Sequence, residues 1–364
     1  MKIGITLDMS VAFWANGMQQ NIVFLYEILR LAGNDCYYIT SGKPTQALDL
    51  NHKGMILKDL LKDKEEIFDV IIVCGFELTL NMYASLKKRN PNTKFILIHY
   101  GNKLFDDIHY GITGPESKKT PINKSKFRFD QIWTSPHYEF AINYLKTYHI
   151  NENVKICPYI WGTYFVDKKI KFLKSKNLNP FFDQNAVNQV CVFEPNRTAS
   201  KSSLVPFMII ERFNQIFGEE LESANIFCCE KVRERTFFKE YVQATKCGRR
   251  KEFTFFNNRW GTLEAFSKFG KTLVSHQIYN ELNYSYLEAM YLGIPVIHNS
   301  DALIDYGYYY PKFDVDMGAK QVKNVLMNHN NNIIKYKEDV QGLITKLSYS
   351  NVDNINAYSS LLNE

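Results

Sequence analysis

The stretch 271–300, KTLVSHQIYNELNYSYLEAMYLGIPVIHNS, constrains the fold more than any other part of the chain. Its first residues are apolar and β-capable and predict a buried strand, and apolar side chains then recur at helical spacing over 284–292. Gly293 ends that helix, because glycine takes left-handed backbone angles without a Cβ clash. Residues 294–297 predict a second strand. Strand, helix, glycine and strand make one βαβ unit, so we expect two parallel neighbouring strands.

Between the first strand and the helix lies a polar loop, which we expect at the carboxyl edge of the sheet. Ligands of open α/β sheets bind at that edge, and helix N-termini favour anions. The loop carries His276, Gln277, Asn280 and Asn283, and Glu288 lies one turn into the helix. A carboxylate such as Glu288 can accept hydrogen bonds from both hydroxyls of a ribose. The alternative is that Glu288 only interacts with its own helix dipole, and the spacing leaves both open.

The segment LEAMYLGIPVI, at 287–297, is similar to a block of the retaining glycosyltransferases of the GT-B fold, the glycogen-synthase and sucrose-synthase group. In that group the block ends a motif of two glutamates with seven residues between them, and the second glutamate holds the ribose of the sugar nucleotide. The second glutamate falls on Glu288. The first falls on Asn280, and the neighbouring carboxylate, Glu281, is displaced by one position. The resemblance implies a ribose-binding Glu288 and puts Asn280 at the sugar-holding position.

A closer resemblance is to a glycosyltransferase-like family of bacterial and viral proteins. Its blocks occur here in the same order: WxNGxxQN at 14–21, EPN at 194–196 followed by Lys201, SHQ at 275–277, NxLNY at 280–284 and HNS at 298–300. These blocks span most of the chain. The resemblance implies an α/β protein of the GT-B fold, with two Rossmann-like domains and a ligand cleft between them, and it adds Asn299 and Ser300 to the donor-binding residues.

A basic turn opens the second half of the chain. A strand predicted over 188–193 is followed by Arg197 and Lys201, and then by a helix that begins near residue 202 or 203. In the GT-B group, a turn at this place supplies an Arg and a Lys to the diphosphate of the donor. Two cations and a helix N-terminus would stabilise the leaving diphosphate. The alternative is a solvated basic turn, although the flanking strand and helix favour binding.

Two residues of the first half join Asn280 as candidates for the catalytic side of the site. Gly17 lies between the first strand and the first helix, where a missing Cβ lets a ligand approach the backbone. His99 ends a strand predicted over 94–99, and a histidine there can bond to a sugar hydroxyl or to a developing charge. Such a histidine touches the donor sugar in retaining GT-B enzymes. Gly17 has a plain βα turn as its alternative, and His99 a structural role.

Length and composition predict two globular domains. The 364 residues are 45% hydrophobic and 15% aromatic, which is enough for buried cores. We predict an N-terminal, acceptor-side domain at 1–166, a linker rich in lysine and asparagine at 167–187, and a C-terminal donor domain at 188–345. A tail at 346–364 is expected to pack back on the first domain, as the C-terminal helix of GT-B proteins does.

Charge and cysteine usage bound the partners. The net charge of +6 is spread along the chain, which suits anionic substrates such as nucleoside diphosphates and leaves nucleic acid open as a partner. The seven cysteines form no C-x-x-C pair and predict reduced thiols in the cytoplasm. The chain runs directly into a strand, so we expect no signal peptide, and no run reaches the ~18 apolar residues of a spanning helix. Asp314 and Asp316 form a DxD pattern, but no metal-spaced His or Cys cluster accompanies it, so we expect no metal or other cofactor.

Together these patterns predict a hexosyltransferase-like glycosyltransferase that uses a nucleotide sugar, such as a UDP- or GDP-sugar, as co-substrate. Its acceptor would be a glycan, protein or lipid, and the resemblance implies retention of the anomeric configuration. Arg, Lys and backbone N–H groups can neutralise the diphosphate without a metal.

Two alternatives remain open. One is a DNA-modifying glucosyltransferase, which needs a basic, aromatic groove in the first half. Its local support is a cluster of cations and rings: Lys118, Lys119, Lys124, Lys126, Phe127, Arg128 and Phe129. The other is a non-catalytic nucleotide-sugar-binding protein of the same fold, supported by the missing first glutamate.

Overall fold

A computed structural model describes residues 1–10, 17–42, 52–63, 65–114 and 128–364. These residues form two compact units, Met1–Gly162 with Thr345–Glu364, and Thr163–Ile344. Each unit contains its own sheet, and every strand pairing within the described residues is parallel. The expectation of two α/β halves is confirmed. None of the helices in the described residues is long and apolar enough to span a bilayer.

The elements alternate along the chain as βα units. The strands are β1 (Lys2–Leu7), β2 (Asp35–Thr40), β3 (Gly54–Ile56), β4 (Val70–Val73), β5 (Lys94–His99), β6 (Gln131–Thr134), β7 (Val154–Ile156), β8 (Gln189–Val192), β9 (Ser223–Ile226), β10 (Phe253–Phe255), β11 (Thr272–Val274), β12 (Val296–His298) and β13 (Tyr308–Tyr309). The helices are α1 (Gly17–Leu31), α2 (Leu57–Leu60), α3 (Leu80–Arg89), α4 (Lys103–Thr113), α5 (Ile142–His149), α6 (Tyr164–Lys174), α7 (Leu204–Phe217), α8 (Glu230–Arg233), α9 (Thr236–Gln243), α10 (Thr262–Lys268), α11 (Tyr284–Tyr291), α12 (Val315–Leu347) and α13 (Val352–Asn363).

The sheet of the first unit has the strand order β3-β2-β1-β4-β5-β6-β7 in the described part of the chain. Its central strands are apolar runs because both faces are covered, and Ile5, Ile72 and Ile96 are completely buried. The C-terminal segment belongs to this unit. The Trp161 N–H donates to the Leu347 carbonyl at 2.8 Å, and α13 packs against α1.

The sheet of the second unit has the order β10-β9-β8-β11-β12-β13 among the described residues. Its core joins strand residues such as Val190 and Ile297 to Ile209 of α7 and Val322 of α12. The segment 167–187, which the sequence predicts as a linker, belongs to this unit and contains most of α6. Apolar residues of α6 are buried in spite of its lysine content, since long lysine side chains cover apolar surface with the charge in water.

The βαβ unit predicted over 271–300 is present. β11 and β12 pair in parallel, with Leu273 opposite Val296, and α11 lies between them in the chain. Gly293 ends α11 with φ of +76°, donating its N–H to the Met290 carbonyl at 2.9 Å, as the prediction of a C-terminal glycine requires. The aromatic segment after β12 is not only a turn, because β13 pairs with β12 there.

Candidate functional site

Polar side chains collect at the carboxyl edge of the second sheet, where the strand order reverses. The reversal lies between β8 and β11, which are hydrogen-bonded neighbours. In open α/β sheets, the loops after two such strands diverge and ligands bind between them. Glu194 follows β8 in this protein, and Ser275, His276 and Gln277 follow β11. The predicted SHQ block therefore lies at the position where this fold class binds ligands.

Glu194 is the centre of a buried hydrogen-bond network. Its side chain is 1% exposed, and its Oε1 accepts from the Ser275 hydroxyl and from the His276 backbone N–H, the latter at 3.3 Å. Its Oε2 accepts from Nε2 of Gln277 at 3.2 Å. Burial raises the pKa of Glu194 above its ordinary value, and the hydrogen bond from Ser275 and the charge of Lys201 oppose that shift. The carboxyl group can therefore change charge more easily near neutral pH than an exposed glutamate.

A second set of amides holds the loop that contacts Glu194. Asn280 donates from its Nδ2 to Oε1 of Gln277 at 2.5 Å. Asn299, after β12, accepts from the Gln277 N–H at 2.9 Å and donates to the Gln277 carbonyl at 2.8 Å. The predicted residues Gln277, Asn280 and Asn299 thus form one connected network, which orders the loop before any ligand binds.

The proton position on His276 follows from its neighbours. The Tyr310 hydroxyl donates its single hydrogen to the Ser275 carbonyl at 3.0 Å, so Nδ1 of His276, 2.9 Å from the same hydroxyl, must be the donor of that pair. Nε2 is then an acceptor, and it is buried without a hydrogen-bond partner among the described residues. Burial lowers the pKa of His276 to about 4, so the ring is neutral. It can accept from a hydroxyl but offers no charge to a phosphate.

The turn after β8 is shaped by Asn196. This residue has φ of +51°, which Asn tolerates better than most residues, and its Oδ1 accepts from the Ser203 N–H at 2.8 Å at the start of α7. Its Nδ2 donates to the Cys228 carbonyl at 3.3 Å, and its N–H donates to the Lys201 carbonyl at 3.0 Å. The EPN turn therefore closes on itself, with Arg197 exposed at its tip.

Glu288 lies on α11, half-buried, within the same unit. The Thr262 hydroxyl, at the start of α10, donates to its carboxylate, and Arg259 and Lys169 lie within electrostatic range. Burial raises the pKa of Glu288 to about 7, against these three stabilising contacts. A carboxylate so placed binds hydroxyl groups through charge-assisted hydrogen bonds once it is ionised.

Two other predicted donor residues have local structural partners. Oδ1 of Asn283 accepts from the Ser285 N–H at 3.1 Å and caps the N-terminus of α11. Ser300 donates its N–H to Nδ1 of His298 at 3.1 Å, while its hydroxyl is buried without a partner among the described residues. The Ser300 hydroxyl remains available to a ligand, whereas the carboxamide oxygen of Asn283 is already used.

The predicted first-half residues lie in the other unit. Gly17 begins α1, and His99 ends β5 with its Nε2 at 2.8 Å from Nε2 of His149. Of the residues cited for a DNA groove, Phe129 packs edge-on against His149 with ring centroids 6.3 Å apart. Arg128 is exposed at the surface. The others lie outside the described residues, as do three residues of the first family block: Lys118, Lys119, Lys124, Lys126 and Phe127, and Trp14, Ala15 and Asn16.

The DxD pattern has structural partners of its own. Asp314 accepts from the Met317 N–H at 2.8 Å near the start of α12, and Asp316 pairs with Arg212 at 2.5 Å. The residues that the structure describes contain no group of three His, Cys, Asp or Glu side chains that could hold a metal ion.

The sequence analysis did not single out Glu194, Thr262 or Arg259, which the structure adds to the candidate site. The position of Glu194, directly after a buried strand in the EPN block, was a usable signal. Arg259 lies in the loop before α10 and Thr262 is the first residue of that helix, and only their electrostatic and hydrogen-bonding relation to Glu288 reveals them.

Residues 3–362 match the family described as "Protein of unknown function (DUF2827)", and the chain belongs to that family. A search of curated proteins finds no significant match.

Solved structures are similar over the full length. A glycosyltransferase from Rickettsia africae has 13% identity and a TM-score of 0.60, covering 100% of this chain and 99% of that one. An alpha-glucosyltransferase in complex with UDP and a 13-mer DNA containing an HMU base has 11% identity and a TM-score of 0.63, covering 100% of both chains. An alpha,alpha-trehalose-phosphate synthase (UDP-forming) from Burkholderia xenovorans has 10% identity and a TM-score of 0.59, covering 99% of both. These similarities confirm the predicted GT-B glycosyltransferase-like fold.

Proposed function

We propose that this member of the DUF2827 family is a glycosyltransferase that takes its sugar from a nucleoside-diphosphate sugar, such as a UDP- or GDP-sugar. The observation that carries the proposal is the arrangement at the strand-order reversal of the second unit. There the Glu194 network and the basic EPN turn occupy the ligand-binding edge, and Glu288 lies on the helix that follows β11. Full-length similarity to glycosyltransferases, including one described as UDP-forming, supports it.

In this proposal Glu288 holds the ribose, and Arg197 and Lys201 hold the diphosphate. Bond cleavage between the anomeric carbon and the diphosphate leaves extra negative charge on the phosphate oxygen. Two cations next to the start of α7 would stabilise that charge more than they stabilise the intact donor, which lowers the barrier without a metal.

The anomeric carbon then bonds to a hydroxyl oxygen of a glycan, protein or lipid, and the acceptor's proton passes to the released diphosphate. Asn280 takes the sugar-side position, and His276 accepts a hydrogen bond from a sugar hydroxyl rather than binding phosphate. Gly17 and His99 keep the catalytic roles that the family resemblance implies, and the sugar keeps its anomeric configuration.

The first test is a screen of UDP- and GDP-sugars by thermal shift, followed by a hydrolysis assay with each sugar that binds. A ligand bound only by the native state raises the melting temperature. We expect at least one nucleotide sugar to bind and to be hydrolysed or transferred. Binding without turnover would favour the non-catalytic nucleotide-sugar-binding protein, and absence of any binding would reject the proposal.

The second test uses variants. Glu288→Gln removes the charge of the proposed ribose contacts and should weaken donor binding about tenfold or more. Lys201→Ala should also weaken it strongly, whereas Lys323→Ala, whose lysine pairs with Glu220 at 2.6 Å on α12, should not. Equal effects of the two lysine variants would remove the diphosphate site from the EPN turn. Retardation of plain duplex DNA at moderate salt would instead favour the DNA-modifying enzyme.

A further inference from the structure

Arg259 is an exposed cation in the loop between β10 and α10. Among the described residues its guanidinium has no ion-pair or hydrogen-bond partner, and the same holds for Arg197 in the EPN turn. Other arginines of this unit are paired, such as Arg212 with Asp316 and Arg250 with Glu252. Two exposed guanidinium groups that hold no acidic side chain in the described part of the chain are available to bind an anion.

Hydrogen bonds to Cys228 bring the two arginines together. The Cys228 carbonyl accepts from Nδ2 of Asn196 at 3.3 Å, and the Cys228 N–H donates to the Asn258 carbonyl at 3.3 Å. Arg197 and Arg259 are the residues directly after those two partners. One residue therefore connects the loops that carry both arginines, and both guanidinium groups lie within electrostatic range of the Cys228 thiol.

Cys228 itself has an unusual backbone. Its φ of +61° is in the left-handed region, which non-glycine residues rarely adopt. Such strain persists only where the surroundings hold it, and it is concentrated at ligand sites. Here the turned peptide is what lets one residue bond to the loops on both sides.

We propose that Arg259 is a second diphosphate-binding arginine, which acts with Arg197 across the Cys228 turn and discriminates nucleoside diphosphates from monophosphates. The inference rests on the proposed function and deepens it. Arg259 also lies near Glu288. The carboxylate takes the ribose hydroxyls, and the guanidinium takes one oxygen from each of the two phosphates, in the planar, bidentate geometry that suits guanidinium and phosphate.

The test is isothermal titration of the full chain with UDP, UMP, GDP and GMP, using the base that binds. The variants are Arg259→Ala and, as the matched control, Arg249→Ala. Arg249 is exposed, has no side-chain partner among the described residues, and precedes β10 at the opposite edge of the sheet. Melting temperatures of both variants should stay close to that of the wild type, since within the described residues neither arginine side chain makes a hydrogen bond or an ion pair.

We expect Arg259→Ala to weaken the diphosphate about tenfold or more and the monophosphate much less, so that the preference for the diphosphate shrinks. Arg249→Ala should change neither affinity. An unchanged diphosphate affinity in Arg259→Ala, or equal losses for diphosphate and monophosphate, would overturn the role of Arg259 while leaving the transferase proposal intact if the wild type still turns over a nucleotide sugar. A wild type that binds no nucleotide would overturn both.

Discussion

The two units place a carboxylate at the same topological position and give it opposite properties. Asp8 follows β1 in the first unit, and Glu194 follows β8 in the second, each beside the reversal of strand order. Partial burial would raise the pKa of Asp8, but hydrogen bonds from Ser10 and Ser41 outweigh it and lower the pKa. Burial dominates at Glu194 and raises its pKa.

The strand topology therefore places a carboxylate at the same position in both sheets, but the surrounding residues decide the direction of its pKa shift. Ser10 and Ser41 are exposed, so water can replace them around Asp8. The partners of Glu194 are buried, and its loop is held by further buried amides. A carboxylate that is buried in a hydrogen-bonded network interacts more strongly with a ligand than a carboxylate that is surrounded by water.

The largest expected effect is a difference in the stability that the protein loses when each carboxylate is removed. Glu194→Ala removes the carboxylate that accepts from the Ser275 hydroxyl, the His276 N–H and Gln277, so the free energy of unfolding should fall by about 3 kcal/mol. Asp8→Ala should cost about 1 kcal/mol or less, because its donors turn to water. Urea unfolding at pH 5 measures both. An equal loss of unfolding free energy in Asp8→Ala and Glu194→Ala would contradict the contrast between the two units.

A smaller effect concerns the sign of the pH dependence. The folded pKa of Glu194 is raised above 4.5, so its contribution to stability is full below that pH and is lost as pH rises through the folded pKa. Glu194→Gln should therefore gain stability relative to the wild type between about pH 5 and pH 8. The folded pKa of Asp8 is lowered below 3.8, so its contribution is present above that value and is lost as pH falls.

Asp8→Asn should therefore be less stable than the wild type at neutral pH, and the difference should shrink toward pH 3. Unfolding free energies of the wild type and both variants across this range measure the two slopes. Differences from the wild type are used because the buried histidines titrate in the same range. Slopes of the same sign would contradict the assignment of opposite shifts.

The smallest effect sharpens the description of the Glu194 environment. The charge of Lys201 lowers the pKa of Glu194, so Lys201→Ala should move the Glu194 titration to higher pH. Lys323→Ala should leave it unchanged, because that lysine pairs with Glu220. Carboxyl chemical shifts measured by NMR against pH report the midpoint directly. An unchanged titration midpoint of Glu194 in Lys201→Ala would show that the charge of Lys201 does not act on this carboxyl group.

Much of the fold was readable because local pattern and tertiary environment agree. The run KFILIH predicts β5 with its observed bounds, since a strand covered on both faces is apolar throughout. Gly293 marked the end of α11 for a backbone reason that needs no tertiary contact. The short edge strand β3 was missed, because three residues that begin with Gly54 have no alternation to detect.

The candidate site was readable only in part. His276, Gln277, Asn280 and Asn299 were predicted through the blocks in which they lie, and the structure joins them in one hydrogen-bond network, while their ligand-binding roles stay predictions. Arg259 and the capping of α11 by the Asn283 side chain were not predicted, since each depends on the direction in which a side chain points.

The amino-acid sequence by itself determined the alternation of strands and helices, the helix stop at Gly293 and the polar blocks that follow β8 and β11, because spacing and backbone preference act over a few residues. Only the tertiary structure decided that Glu194 is buried and shared by three donors, and that Cys228 joins the loops of Arg197 and Arg259. Burial and long-range hydrogen bonding depend on segments far apart in the chain, so no local pattern could carry them.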